Sequence, residues 1–136
     1  MVAVGGWPAY APKPTAQFAA ADLVRMGCPT NLLVIGLPSE KPEDRTYENA
    51  KSAREALARR RIQVVGLMIY TKGAHARRSR LVFQKVFGPA ARVGVIAHRD
   101  EDERHKPWWG STVRAKAVIE EFFGWFMERV GFEFRE

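Results

Sequence analysis

Cysteine is nearly absent from this sequence of 136 residues, which contains only Cys28. An internal disulfide and a cysteine-based zinc site are therefore excluded, and the cysteine content gives no sign of an oxidising compartment. No apolar run approaches the roughly 20 residues that are needed to cross a bilayer. The first residues also lack the basic-then-apolar order of a secretory signal. From these absences we expect a cytoplasmic chain without a membrane span.

Acidic residues are missing from a long internal stretch, since none lies between Glu55 and Asp100. The formal net charge of +7 is therefore mostly local. The basic residues of this stretch are Arg59, Arg60, Arg61, Lys72, Arg77, Arg78, Arg80, Lys85, Arg92 and Arg99. The three arginines at 59–61 fall at a predicted helix C-terminus, where cations complement the helix dipole. The chain lacks zinc-finger spacing, basic-region heptads and the aromatic strand motif of RNA-binding domains, so we expect a small anionic ligand and no nucleic acid.

The apolar residues are arranged as short runs that alternate with helical patterns. The predicted strands are residues 2–4, 32–35, 62–70 and 92–97, and the predicted helices are residues 16–26, 46–60, 74–87 and 113–130. Continuous apolar strands separated by helices are typical of a mainly parallel sheet that helices cover on both faces. At 136 residues, with 46% hydrophobic and 27% charged residues, the chain is predicted to form a single α/β domain, residues 1–136.

The segment 71–80 (TKGAHARRSR) is the most informative part of the chain. It joins the strand predicted at 62–70 to the next helix through a glycine turn at Gly73. Such a junction leaves the first N–H groups of the helix free at the positive end of its dipole, a place that attracts anions. His75, Arg78 and Ser79 fall at i, i+3 and i+4, so they are expected on one face. The pattern suits a phosphate, a carboxylate or a developing negative charge, and His75 is interpreted as a general base, a phosphate ligand or a helix-start residue.

Ligands of open parallel sheets bind outside the carboxyl ends of the strands. Three predicted loops leave such ends: the Gly5-Gly6 pair, the loop before residue 45, and residues 71–74. We expect these loops to converge on one site. The residues of this site that lie in the second helix also have structural interpretations. Thr46 is a predicted N-cap that would form a capping hydrogen bond with Asn49. Arg45 would equally form a surface ion pair with a neighbouring carboxylate. A metal is not expected, because no His or carboxylate pair has a helical ligand spacing in this region.

Several of these segments resemble the ElyC/SanA/YdcF-like proteins, a bacterial domain family of unknown function. Residues 44–50 (DRTYENA) are similar to the T-x-x-N-A helix start of that family, and residues 73–79 (GAHARRS) to its histidine followed three residues later by arginine. Gly5-Gly6 resembles the glycine pair that ends an earlier strand. Residues 108–111 (WWGS), followed by Glu121, resemble the C-terminal signature of one branch. The resemblance covers nearly all of the chain.

The resemblance implies a Rossmann-like three-layer sandwich with a polar pocket, linked to bacterial envelope and cell-wall processes. The implied ligand is phosphorylated or nucleotide-like, for example S-adenosylmethionine. The family normally has a strand and a helix before the glycine pair, so we expect this chain to be N-terminally truncated relative to it. The family also often carries a Ser-Glu-Ala where Thr15-Ala16 stands here.

Two function classes follow from these observations. One is a domain that binds the anionic ligand without catalysis, and the other is an enzyme in which His75 is the acid/base and Arg78 stabilises charge. The predicted catalytic residues are His75 and Arg78. The predicted ligand-binding residues are Gly5, Gly6, Arg45, Thr46, Asn49, Gly73 and Ser79.

Overall fold

Helices and strands alternate along the chain in the computed structural model, which describes residues 1–6, 12–38, 44–99 and 106–131. The elements are β1 (Val2–Val4), α1 (Thr15–Arg25), β2 (Val34–Gly36), α2 (Arg45–Arg59), β3 (Gly66–Lys72), α3 (Ala76–Phe87), β4 (Arg92–His98) and α4 (Thr112–Val130). Short 3₁₀ turns occupy Thr30–Leu32 and Trp108–Gly110. The predicted α/β character is confirmed.

The strands form two parallel pairs, β1 with β2 and β3 with β4. Parallel pairing is what the alternation of apolar strands and helices predicts. The chain divides into two compact units, Met1–Val64 and Val65–Glu136, and each strand pair belongs to one of them. The expectation of a single domain stays a prediction.

The first unit packs its two helices against β1 and β2. Ala20 of α1 forms a small core with Ala3 and Leu33. The side of α2 that faces the strands is made of small residues, which let the helix come close. At Gly36 the approach is closest, because an added Cβ would lie 3.0 Å from the carbonyl oxygen of Ser52. Glycine is therefore required at the end of β2.

The end of α2 explains why the strand predicted from residue 62 begins four residues later. Arg61 has a left-handed φ of 56°. Its N–H donates to the Ala58 carbonyl at 2.8 Å, and the N–H of Ile62 donates to the Leu57 carbonyl at 3.0 Å. These two bonds form a Schellman motif, in which an arginine occupies the position that usually holds glycine. Ile62 thus belongs to the helix cap, and β3 starts at Gly66.

The second unit places α3 on one face of the β3–β4 pair and α4 against α3. The buried residues of α3 recur at helical spacing: Ala76, Ser79, Val82, Phe83 and Val86. Arg80 Nε donates to the Val93 carbonyl at 3.1 Å, which ties α3 to β4. At its other end α3 is tied to α4, because Lys85 Nζ lies 2.8 Å from a carboxylate oxygen of Glu128.

The described residues form four α-helices of 11 to 19 residues. None of them is both long enough and apolar enough to cross a bilayer.

Candidate functional site

The junction between β3 and α3 is a tight turn that is fixed by backbone hydrogen bonds. The N–H of His75 donates to the Lys72 carbonyl at 3.1 Å, and that of Ala76 donates to the Gly73 carbonyl at 3.3 Å. Across the strand pair, the N–H of Gly73 donates to the carbonyl of His98 at 2.8 Å. The amide of Gly73 is thus used inside the fold. The helix begins at Ala76, two residues later than predicted, and His75 is its N-cap.

The His75 side chain does not cap the helix but contacts α4. Its Nδ1 lies 2.8 Å from Oε1 of Glu121, and the two side chains are 34% and 23% exposed. When Nδ1 carries the ring proton it donates to the carboxylate, which leaves Nε2 as the acceptor of the neutral imidazole. The other carboxylate oxygen of Glu121, Oε2, is buried and has no hydrogen-bond partner among the described residues. The contact with Glu121 therefore fixes which ring nitrogen of His75 faces α4.

Arg78 lies against the same helix, one turn further along. A Cβ built on Gly124 would be 3.0 Å from Cδ of Arg78 and 3.1 Å from its Nε. The absence of a side chain at Gly124 is what leaves room for the arginine. Since Glu121 and Gly124 are three residues apart on α4, their partners His75 and Arg78 are held on adjacent positions of one surface.

The carboxyl edge of the β3–β4 pair carries further basic and imidazole residues near the turn into α3. Lys72 and His98 end their strands opposite each other. The side chain of Arg99 passes over the turn, because a Cβ on Gly73 would lie 3.3 Å from its Cγ. Cationic and imidazole groups therefore gather on both sides of the start of α3, near the positive end of its dipole.

Ser79, predicted to share this surface, is buried. It is 3% exposed, and its N–H donates to the His75 carbonyl at 3.0 Å as part of the helix. A ligand on the outside of α3 would meet His75 and Arg78 before it reached this hydroxyl.

The remaining predicted residues lie in the first unit. The carbonyl of Gly6 accepts from the Oγ1 of Thr15 at 2.7 Å and from its N–H at 2.9 Å. An added Cβ on Gly5 would lie 2.6 Å from that same Oγ1. The glycine pair thus allows the start of α1 to pack closely on the end of β1.

The start of α2 corrects one prediction about capping. The N-cap is Asp44, whose carboxylate accepts from the N–H groups of Thr46 at 3.1 Å and Tyr47 at 3.2 Å. Thr46 is inside the helix and buried. Asn49 is half-buried, and its carbonyl accepts from Ser52 Oγ at 3.0 Å. Arg45 is exposed.

Two sets of predicted residues thus occur, one at the carboxyl edge of each strand pair. Their convergence on one site stays a prediction. The first unit also has a cavity of about 800 Å³ beside β2. Its lining includes small and apolar side chains of α1 and β2, together with Arg59 and Arg60. None of the predicted site residues lines this cavity.

Glu121 and Gly124 contact His75 and Arg78, and the sequence analysis did not place either of them at the candidate site. Their signal is a stripe of polar and small residues, since Glu121, Gly124 and Glu128 fall at i, i+3 and i+7. In an amphipathic helix that spacing indicates one face with its own partner. The sequence does not tell which helix that partner is.

Within the described ranges, no group of three His, Cys, Asp or Glu residues could hold a metal ion. No protein-family model matches the chain, and no curated protein or solved structure matches it significantly.

Proposed function

We propose that this protein binds a small phosphorylated or nucleotide-like anion at the junction of β3 and α3. The observation that carries the proposal is the pair of contacts on α4: Arg78 lies over Gly124, one turn from His75, which Glu121 holds. A guanidinium in that position offers a planar fork to two oxygens of a phosphate. The start of α3 adds the positive end of its dipole, and the imidazole adds a donor at Nε2 when it is protonated.

The charges around the junction support an anionic rather than a cationic ligand. Lys72 and Arg99 lie on either side of the turn at Gly73, and the sequence between Glu55 and Asp100 contains no acidic residue. Glu121 also lies at this surface, where its Oε1 contacts Nδ1 of His75. A helix start with several cations favours negative charge through both direct bonds and the dipole.

A second candidate, an enzyme that acts on a phosphorylated or nucleotide-like substrate, is favoured by the contact between His75 and Glu121. A carboxylate that accepts from Nδ1 orients an imidazole and stabilises its charged form during proton transfer, and Nε2 is then the atom that exchanges a proton with the substrate. In this candidate Arg78 stabilises the negative charge that develops on the phosphoryl group.

The finer fold and the family remain part of this proposal. A Rossmann-like three-layer sandwich is supported by the parallel pairing in each unit and by the helix that follows each strand. The YdcF-like assignment, with its link to the bacterial envelope and to a ligand such as S-adenosylmethionine, rests on the motifs at residues 44–50 and 73–79.

Calorimetric titration with inorganic phosphate and ribose 5-phosphate tests the binding proposal. In Arg78→Lys we expect both affinities to fall about tenfold or more, because lysine cannot make the two parallel bonds of a guanidinium. The matched control is Arg77→Lys, at an exposed neighbouring position, which should bind as the parent does. Equal affinity in the parent and Arg78→Lys would contradict the proposal.

His75→Asn separates the two candidates. It should leave phosphate affinity within about threefold, because Arg78 supplies most of the binding, and it should abolish any release of phosphate from sugar phosphates and nucleotides. Turnover that survives in His75→Asn would exclude His75 as the acid/base. A parent protein that binds these compounds without turnover is a binding domain.

A further inference from the structure

β2 has an open edge in the first unit. β1 pairs with one side of β2, and among the described residues no strand pairs with its other side. The cavity of about 800 Å³ in this unit is lined by Leu33, Val34 and Ile35, in and next to β2, and by no residue of β1. The cavity therefore forms a cleft along the open edge of β2, the edge cleft.

The two sides of the edge cleft come from helices on opposite faces of the strand pair. Ala3 packs with Ala20 of α1, and its partner in the strand register is Ile35. The next residue, Gly36, faces α2, because an added Cβ there would lie 3.0 Å from the Ser52 carbonyl oxygen. Successive strand residues point to opposite faces, so α1 and α2 cover opposite faces of the pair. Residues of both helices line the cleft, which therefore opens around the edge of the sheet.

The backbone of β2 directs hydrogen-bonding groups to this edge. The N–H of Val34 donates to the Met1 carbonyl at 2.9 Å, on the side of β1. The N–H and C=O groups of successive strand residues point to alternate sides, so those of Ile35 point to the open edge. Ile35 is also 41% exposed. An accessible edge of this kind is a template for a further strand.

The edge cleft has room for a short extended segment. Gln17, Ala20, Ala21 and Val24 of α1 line it at i, i+3, i+4 and i+7, a length of about 10 Å along the helix. An extended chain covers that length in about three residues. On the other side the lining residue nearest the middle of α2 is Ala56. Small residues on both sides leave space for the side chains of an added strand.

One end of the edge cleft is cationic. α2 follows β2 and runs back beside it, so the last turn of α2 lies at the amino end of β2. Arg60 Nη1 donates to the carbonyl of Asn31, just before β2, at 3.3 Å. Arg59 also lines the cleft and is exposed. The described residues of the lining include no carboxylate, so this end favours an acidic group.

We propose that the edge cleft binds an extended peptide segment of another protein, which adds to β2 as an edge strand. The segment is apolar at its centre, where it contacts the small residues of both helices, and acidic at the end that meets Arg59 and Arg60. Backbone hydrogen bonds to β2 supply affinity, and the apolar sides and the arginines supply selectivity. The net charge of +7 also favours an acidic partner. None of the residues that carry the proposed function lines the edge cleft, so the two proposals are independent.

The probe is the peptide acetyl-Glu-Val-Val-Val-Glu-amide, titrated into the full chain and followed in ¹H–¹⁵N correlation spectra. A glutamate at each end allows the peptide to bind in either strand direction. We expect saturable shifts that include the amide of Ile35. The peptide acetyl-Lys-Val-Val-Val-Lys-amide should bind about tenfold more weakly or less, because a lysine then lies beside the arginines. Methylation of the backbone nitrogens of two consecutive valines should weaken binding similarly, because one of those two N–H groups faces β2.

Variants of the chain test whether the peptide occupies the edge cleft. Ala21→Phe places a ring in the cleft from an exposed position and should weaken peptide binding about tenfold or more. Ala19→Phe, also exposed on α1 but outside the lining, is the matched control and should bind as the parent does. Arg59→Gln should weaken binding about threefold, whereas Arg61→Gln removes the same charge outside the lining and should not.

The outcomes separate this proposal from the proposed function. Absence of saturable binding of the acidic peptide, equal affinity for the lysine peptide, or full affinity of the N-methylated peptide would overturn the added strand. Unchanged binding in Ala21→Phe would do the same. Arg78→Lys should bind the acidic peptide as the parent does, and this result would support the edge cleft whether or not the protein binds phosphate. Loss of peptide binding in Arg78→Lys would mean that the peptide occupies the anion site, and the edge cleft would be overturned.

Discussion

His75 and Ser79 lie one turn apart on α3, yet their surroundings differ. His75 is half-exposed and contacts Glu121, whereas Ser79 is 3% exposed and points into the packing of the helix. The i, i+4 spacing correctly predicts that two residues are neighbours along a helix. It does not say which other element covers them. The contact with Glu121 is 46 positions away in the sequence, and no local pattern at His75 reveals it.

The backbone conformation of Arg61 could not be predicted from its being an arginine. It has a φ of 56°, which costs a side-chain-bearing residue about 1 kcal/mol or more. Gly would remove that cost but would increase the entropy of the unfolded chain. We therefore expect Arg61→Gly to raise the free energy of unfolding by about 0.5 kcal/mol, measured by urea denaturation.

The control for this change is the preceding residue. Arg60 has a φ of −87°, which arginine adopts without strain, and Arg60→Gly should lower the free energy of unfolding by about 0.5–1 kcal/mol. If both glycine variants destabilise the protein equally, the left-handed end of α2 is wrong.

The strands and helices themselves were largely predictable from the sequence. β1 spans the predicted residues, and α4 begins one residue before the predicted start and ends where predicted. The predicted boundaries are wrong where a contact between residues far apart in the sequence determines where an element ends. β3 ends at Lys72 rather than at residue 70 because Thr71 and Lys72 pair with Ala97 and His98 of β4. The apolar run ends at Tyr70, two residues before the hydrogen-bonded pairing ends, because Thr71 and Lys72 are polar.

α4 contacts both His75 and Arg78. A substitution at its Gly124 should change the free energy of unfolding and the phosphate affinity in opposite directions. In Gly124→Ala the new Cβ meets only the side chain of Arg78 among its nearest neighbours, at 3.0–3.3 Å. Alanine in place of a helical glycine should raise the free energy of unfolding by up to about 1 kcal/mol. The guanidinium of Arg78 must move, so phosphate affinity should fall several-fold in calorimetric titration.

A double variant shows whether the loss of binding passes through Arg78. If Gly124 acts only by leaving room for that side chain, the Gly124→Ala, Arg78→Lys double variant should bind phosphate no more weakly than Arg78→Lys alone. Additive losses would mean that Gly124 contributes to the site in another way. Unchanged affinity in Gly124→Ala would mean that the position of Arg78 over α4 is irrelevant to the anion.

At the scale of the whole molecule, the predicted site residues fall into two compact units. Arg45, Thr46 and Asn49 belong to the unit that ends at Val64, and His75 and Arg78 belong to the other. The sequence could predict that both groups follow parallel strands, because each comes after an apolar run. It could not predict which helix packs beside α3, and therefore it did not place the carboxylate of Glu121 or the space at Gly124 beside His75 and Arg78.

The measurement that most directly tests the anion site is a phosphate titration followed by ¹H–¹⁵N correlation spectra of the full chain. Phosphate binding at the junction of β3 and α3 should give saturable shifts that are largest for the amides of Gly73, Ala76 and Arg78. These shifts should be lost in Arg78→Lys but kept in Arg77→Lys. Shifts at Gly6 and Asn49 with the same saturation curve would add the first unit to the site. Saturable shifts confined to the arginines at 59–61, or shifts that rise without saturation everywhere, would contradict the account.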